Sequence, residues 1–247
     1  MKSPFIRNIF PGNLQLDPGL GLGLIGFIII LRWYLLTLSM AGNDYGMLAM
    51  VPLIMMVVPL LILNHQGWIR IGFGKASKQK WLFYAVILGI LFSLIIYYIG
   101  NHLFGEAMQH WYTFFVKSIS LGIIQENNTL TRILLNAPLP LLLFAIGEEI
   151  FYRGLVHQCF QERYGSNIAS QIDSATFALT YLIHFLILFH EIPWNVLFVP
   201  VLIWTLLMFM ASRLFFICKL QSGSILGPVV CHSAMNLIMI LLVFNQH

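Results

Sequence analysis

The chain has 247 residues, of which 59% are hydrophobic and only 9% are charged. Soluble domains carry about 25% charged residues, so this composition excludes a water-soluble globular protein. It predicts an all-α, polytopic membrane protein. The formal net charge of +4 would suggest nucleic acid as a partner of a soluble protein. Here the basic residues cluster in a few predicted loops, where they orient the chain in the bilayer, and we expect no nucleic-acid partner.

The N-terminal segment combines Lys2 and Arg7 with an apolar run, a pattern that signal peptides share. The run is longer than a typical signal-peptide core and contains Arg32, so we expect it to be retained as a membrane helix. The sequence identifies no partner for Arg32. A charge at this depth either pairs with a carboxylate or lies at the edge of a polar cavity.

Seven apolar runs are long enough to cross a bilayer, which takes about 20 helical residues. They are 18–39, 46–64, 81–100, 133–152, 172–190, 194–217 and 223–245. A weaker run, 108–125, is amphipathic and would be an eighth span only if it crossed the membrane.

Positive charge favours seven spans with a cytoplasmic N-terminus, because most of the 13 basic residues then lie inside. This arrangement places Arg153 and Arg163 in a cytoplasmic loop. We therefore expect one integral-membrane domain over 1–247, in an inner or plasma membrane, around a polar cavity that opens to the cytoplasm. The sequence does not determine an oligomeric state.

The three cysteines, Cys159, Cys218 and Cys231, have no metal-binding or redox spacing. They lie in or beside apolar runs, so we predict that they are buried packing residues.

Charge gathers in one apolar stretch, Ile146-Gly-Glu-Glu-Ile-Phe-Tyr-Arg-Gly154. Glu149 and Arg153 are at positions i and i+4, so they share a helix face and can form an ion pair. Glu148 lies about 100° around the helix and is not offered the same arginine. Two interpretations remain open at this point: an interfacial charge cluster, or a carboxylate kept for acid–base chemistry.

Polar residues in two later spans favour the second interpretation. His232 and Asn236 are at i and i+4 on the last helix, and His184 lies inside the fifth span. At about 1.5 Å of rise per residue, Glu148, His184 and His232 fall in one layer of the membrane. We therefore predict that these groups from three helices converge.

This constellation resembles the CAAX protease and bacteriocin-processing family of intramembrane proteases, also called Abi. The family pattern is Glu-Glu-x-x-x-Arg, then Phe-x-x-x-His, then His-x-x-x-Asn or Asp. Its members here are Glu148, Glu149, Arg153, His184, His232 and Asn236. Thr180 stands where the family has phenylalanine, a difference that concerns packing around the site. The resemblance covers about 133–240, which is the expected catalytic core, whereas the first 130 residues carry no signature.

The resemblance implies hydrolysis of a peptide bond in a membrane-anchored or lipidated protein at the bilayer. It implies that Glu148 activates water, that His232 and Asn236 stabilise the oxyanion, and that His184 orients the water or donates a proton. Glu149 and Arg153 would support this arrangement. The substrates that it admits are prenylated CaaX tails, bacteriocin leaders and membrane-anchored sorting tails.

A zinc enzyme remains an alternative, because Glu148, His184 and His232 are also a possible catalytic zinc set. The tight spacing of zinc proteases is lacking, so we favour catalysis without a cofactor. Two other classes also stay open. A proton-coupled transporter also uses buried carboxylates and histidines, although the chain shows no inverted repeat. A non-catalytic immunity or scaffold protein would keep its activity without Glu148.

Overall fold

A computed structural model describes residues 4–10, 14–42, 47, 50–105, 111, 138–182 and 194–244. Within these ranges the chain forms α-helices and one π-helical segment, and no strand beyond an isolated bridge between Ile6 and Leu63. The predicted all-α class is therefore confirmed. Residues 108–125, apart from Trp111, and His184 lie outside the described residues.

Eight described α-helices follow one another along the chain. They are α1 (Pro18–Gly42), α2 (Met50–Ile62), α3 (His65–Arg70), α4 (Lys80–Phe104), α5 (Pro138–Glu149), α6 (His157–Leu182), α7 (Trp194–Ser222) and α8 (Leu226–Phe244). The π-helical segment, Ile150–Val156, joins α5 to α6.

Local sequence explains several of the helix ends. Pro18 is the first residue of α1, and the Asp17 carboxylate accepts the backbone N–H of Leu20 at 2.9 Å. Asn64 caps α3 in the same way by accepting the N–H of Gly67. Gly105 ends α4 at a φ of +53°, a conformation that glycine adopts without the clash of a Cβ atom.

Three described helical stretches are long and apolar enough to cross a membrane: Pro18–Ser39, Lys80–Phe104 and Val196–Ser222. Met50–Ile62 and Leu226–Leu242 are shorter apolar helices. Large hydrophobic side chains such as Ile30, Phe83 and Leu202 project outward from the long helices, as they do where lipid covers the surface. These features make the chain an integral membrane protein.

Helix α8 lies at the centre of the packing and contacts α4, α5 and α7. Its approach to α4 is close at Gly89, where a Cβ atom would lie 2.2 Å from the carbonyl oxygen of Cys231. Helix α6 packs on α1 and α7, and α2 packs on α5. All three cysteines are free and buried, which confirms their predicted role in packing.

The region after residue 152 differs from the prediction of a loop over 153–171. The π-helical segment continues directly into α6, and only Gly165, at φ +79° and ψ 163°, interrupts the helical backbone there. His157 before this kink contacts Asp173 after it, with Nδ1 and Oδ2 2.7 Å apart. The other ring nitrogen of His157 lies 3.3 Å from Ser166 Oγ. A buried polar contact therefore holds the two parts of α6 together.

Candidate active site

Glu149 and Arg153 form an ion pair at the junction of α5 and the π-helical segment. Arg153 Nε lies 3.1 Å from Glu149 Oε2, and both side chains are completely buried. The pairing predicted from the i and i+4 spacing is confirmed. The prediction that Arg153 lies in a cytoplasmic loop is wrong, because the helix continues through it into the core.

Aromatic rings complete the surroundings of Arg153. The guanidinium carbon lies 4.4 Å from the centroid of the Phe177 ring and 5.1 Å from that of Phe215. Lys219 of α7 donates a hydrogen bond to the backbone carbonyl of Arg153. One carboxylate and two ring faces thus replace the water that an arginine would normally bind.

Gly147 sets the position of the two glutamates against α2. A Cβ atom at this residue would lie 2.1 Å from the carbonyl oxygen of Pro52, so only glycine permits this approach of α5 to α2. The π-helical hydrogen bonding begins directly after Glu149. Such segments are rare and occur frequently at functional sites.

His232 of α8 contacts both glutamates. Its Nδ1 lies 2.8 Å from Glu149 Oε1, and its Nε2 lies 3.8 Å from Glu148 Oε2. The imidazole stacks on Phe215 at a centroid distance of 4.6 Å and an angle of 18° between the planes. An ionised carboxylate can only accept hydrogen bonds, so the contact with Glu149 fixes the proton of a neutral His232 on Nδ1. The other nitrogen then faces Glu148.

Glu148 is buried and bonded through both of its oxygens. Oε1 pairs with Arg32 of α1 at 3.1 Å, and Oε2 accepts the hydroxyl of Tyr181 at 2.9 Å. As expected from the helix geometry, Glu148 does not share Arg153 with Glu149, and a second arginine from another helix pairs with it instead. Arg32 and Tyr181 lie 116 and 33 residues away along the chain, so no local spacing identifies them. In the sequence, this contact is indicated by Arg32 itself, a single charge in an apolar run with no carboxylate one helical turn away.

Thr180, where this chain departs from the family pattern, also takes part in these contacts. Its backbone carbonyl accepts a hydrogen bond from Arg32 at 3.2 Å, and its hydroxyl lies 3.0 Å from that of Tyr152. A threonine here therefore forms a polar contact where phenylalanine would only pack.

Asn236 lies one helical turn beyond His232 on α8 and is half-buried. Its predicted neighbour His184 falls outside the described residues, so the convergence of His184 with Glu148 stays a prediction. The described residues do bring together Glu148, Glu149, Arg153 and His232, from α5, the π-helical segment and α8.

Among the described residues, no group of three His, Cys, Asp or Glu side chains has the arrangement of a metal site. Two of the three members of the hypothetical zinc set, Glu148 and His232, are described, and Arg32 pairs with one of them. A fixed guanidinium beside Glu148 repels a second cation at that carboxylate, so this donor set fits zinc poorly.

The arrangement has the chemical parts of an acid–base site. A buried carboxylate faces a histidine nitrogen across 3.8 Å, a separation longer than a hydrogen bond that one water molecule can bridge. A second carboxylate orients the histidine from behind, as in catalytic triads. Low-dielectric surroundings strengthen each of these interactions.

Residues 130–238 match the family model described as type II CAAX prenyl endopeptidase Rce1-like. No curated protein and no solved structure matches the chain. The matched segment contains the two glutamates, Arg153, His232 and Asn236, whereas Arg32 lies outside it. The match confirms the resemblance seen in the motifs, and residues 130–238 carry the pattern of the Rce1-like CAAX prenyl endopeptidases.

Proposed function

We propose that the protein is an intramembrane endopeptidase that hydrolyses a peptide bond of a membrane-associated protein with a water molecule activated by Glu148. One observation carries the proposal: Glu148 Oε2 and His232 Nε2 face each other across 3.8 Å in a buried site. Arg32 binds the other oxygen of Glu148, and Glu149 binds the other ring nitrogen of His232. A water molecule that contacts both residues would therefore lie in this gap. The family match supplies the reaction class.

The reaction proceeds in two steps. Glu148 takes a proton from the bridging water while the water oxygen attacks the scissile carbonyl carbon, which gives a tetrahedral intermediate with a negative oxygen. Collapse of this intermediate breaks the C–N bond, and the proton held by Glu148 or His232 passes to the leaving amine. A base placed in this way contributes about 10²–10⁴-fold to the rate.

The developing oxyanion requires hydrogen-bond donors that are already in place. His232 in its protonated form donates through Nε2, and the Asn236 amide one turn later donates from the same helix face. Losing one such donor costs about 10²–10³-fold in kcat. His184 completes the proposed set as the residue that orients the water or donates a proton.

Glu149 and Arg153 support the reacting groups. Glu149 binds Nδ1 of His232 and so directs the other nitrogen toward Glu148. Arg153 neutralises Glu149 within the core. We propose catalysis without a metal because the Arg32 guanidinium already pairs with Glu148 and would repel a zinc ion at that carboxylate. A zinc-dependent form of the same protease remains the alternative.

We propose a prenylated CaaX tail at the cytoplasmic face as the substrate class, which the description of the matched family supports, with bacteriocin leaders and sorting tails as the other classes. The test uses purified protein in liposomes with a prenylated CaaX peptide, its unprenylated counterpart and a leader-type peptide. Cleavage is followed by mass spectrometry, which identifies the bond. The same assay in a chelator, together with metal analysis of the protein, separates the zinc form, because full activity without bound zinc removes it.

Glu148→Gln is the decisive variant, and Glu162→Gln is its matched control. Glu162 pairs with Arg70 at the surface, where its side chain is 57% exposed. We expect Glu148→Gln to lose about 10²–10⁴-fold in kcat while it keeps its elution volume. Its unfolding temperature should fall, because buried Arg32 loses its counter-charge. Glu162→Gln keeps wild-type activity. Cleavage by Glu148→Gln at the wild-type rate would exclude Glu148 as the base.

A further inference from the structure

We propose that Arg32 and Tyr181 are positioning residues for Glu148, each holding one of its two carboxylate oxygens. This inference rests on the proposed function of Glu148. It makes helix α1, which lies outside the matched segment 130–238, a part of the active site. The catalytic unit is therefore larger than the family motifs indicate.

Arg32 is the one charged residue in the sequence of α1. It is 4% exposed, and its two terminal nitrogens bind different groups: NH2 binds Glu148 Oε1 at 3.1 Å, and NH1 binds the Thr180 carbonyl at 3.2 Å. A charged arginine within a membrane helix is costly, so such residues pair with one another or mark functional sites. Two anchor points fix the plane of the guanidinium, which a single contact would leave free to rotate.

Tyr181 acts on the other oxygen. Its hydroxyl donates to Glu148 Oε2 at 2.9 Å, and this is the oxygen that faces His232 Nε2. Its ring lies under the Arg32 guanidinium, with 5.4 Å between the guanidinium carbon and the ring centroid. The arginine and the tyrosine therefore support each other as well as the carboxylate.

Together the two residues fix the orientation of the Glu148 carboxylate. With Oε1 held by Arg32 and Oε2 held by Tyr181, the carboxylate cannot rotate about its last bond without breaking both contacts. The free lone pair of Oε2 then stays directed at the gap before His232. Orientation matters at this scale, because a misplacement of about 1 Å costs on the order of 10²-fold in rate.

The role of Tyr181 can be tested clearly, because the chain offers a second hydrogen-bonded tyrosine, Tyr152, as a control. Tyr181→Phe removes the donor to Glu148, whereas Tyr152→Phe removes a buried hydroxyl that contacts Thr180 and not Glu148. We expect Tyr181→Phe to lower kcat at least tenfold with KM unchanged, and Tyr152→Phe to keep the wild-type kcat. Both variants lose one hydrogen-bonded hydroxyl, so similar unfolding temperatures are expected.

Arginine is tested by removing and then restoring its charge. Arg32→Met keeps length and loses charge, and we expect about a 10²-fold loss in kcat with KM unchanged. Arg32→Lys keeps the charge and should recover part of this loss. Arg213→Met is the control, because Arg213 donates to Ser170 and touches neither glutamate. If Arg32→Met fails to fold, the comparison of Tyr181→Phe with Tyr152→Phe still tests the inference.

The outcomes separate this inference from the proposed function. Wild-type kcat in Tyr181→Phe, together with an inactive Glu148→Gln, would overturn the inference and leave the protease proposal intact. An equal loss of kcat in Tyr181→Phe and Tyr152→Phe would also overturn it, since packing alone would then explain both. Wild-type kcat in Arg32→Met would remove Arg32 from its role. An active Glu148→Gln would refute the proposed function itself.

Discussion

His232 and Glu149 form a buried histidine–carboxylate pair in which Nδ1 lies 2.8 Å from Oε1. The pair joins α8 to the end of α5 across 83 residues of sequence. Because Glu149 binds one ring nitrogen of His232, the other ring nitrogen faces Glu148. The two adjacent glutamates therefore have different partners and, in the proposed mechanism, different tasks.

The first prediction concerns Glu149. We expect Glu149→Gln to lower kcat by about 10²-fold or more, because a neutral amide no longer stabilises the protonated form of His232 in the reaction. KM should change little, since Glu149 does not face the proposed water. The measurement is steady-state cleavage of the CaaX peptide in liposomes.

Because Arg153 also loses its counter-charge in Glu149→Gln, stability must be measured beside activity. A double variant, Glu149→Gln with Arg153→Met, removes both buried charges. We expect it to unfold at a higher temperature than Glu149→Gln alone, because no unpaired arginine remains in the core. Wild-type kcat in Glu149→Gln would contradict its role in directing His232.

The second prediction concerns the contact of α5 with α2. Gly147→Ala places a methyl group 2.1 Å from the carbonyl oxygen of Pro52, so the two helices must separate and the adjacent glutamate moves with α5. We expect a loss of roughly 1–3 kcal/mol in the free energy of unfolding and a clear fall in kcat. Denaturant unfolding in detergent and the cleavage assay measure the two effects.

Gly23→Ala is the matched control for that change. No atom outside its own helical turn lies within 4 Å of a Cβ atom built at Gly23. Alanine is the better helix former by about 1 kcal/mol, so Gly23→Ala should leave activity unchanged and stability equal or slightly higher. If the two glycine variants behaved alike, the close approach at Pro52 would not explain the effect.

The third prediction concerns the kink in α6. Asp173→Asn replaces a completely buried carboxylate that contacts His157 at 2.7 Å. We expect a loss of roughly 1.5–3 kcal/mol in the free energy of unfolding, because a charged hydrogen-bond partner becomes neutral. Thermal unfolding of the purified protein provides the measurement.

Asp17→Asn is the corresponding control, since Asp17 is exposed and caps the first turn of α1. Asparagine caps helices about as well as aspartate, so stability should stay within about 0.5 kcal/mol of wild type. An Asp173→Asn variant as stable as Asp17→Asn would show that the contact with His157 does not hold the kink.

Local sequence relationships predicted much of the candidate site. The spacing of Glu149 and Arg153 gave their ion pair, because residues four apart in a helix share a face whatever the remainder of the fold does. The same rule placed Asn236 one turn beyond His232. The order of the motifs also indicated a resemblance to the CAAX protease family, and the match over 130–238 confirms that resemblance.

Other features follow no local rule. The burial of Arg153 depends on a π-helical segment that carries the chain onward, where a cytoplasmic loop was predicted. A π segment differs from an α-helix by one hydrogen-bond step, and its stability comes from the packing around it. Apolar periodicity therefore could not locate it.

The sequence by itself determined the membrane setting, the helical class and the pairs within one turn, because composition and helical periodicity are local properties of the chain. Only the tertiary structure decided what Glu148 contacts. Arg32 and Tyr181 reach it from α1 and α6, and His232 reaches toward it from α8. Such contacts depend on how close helices approach, which glycines such as Gly147 control, and no spacing along the chain specifies that distance.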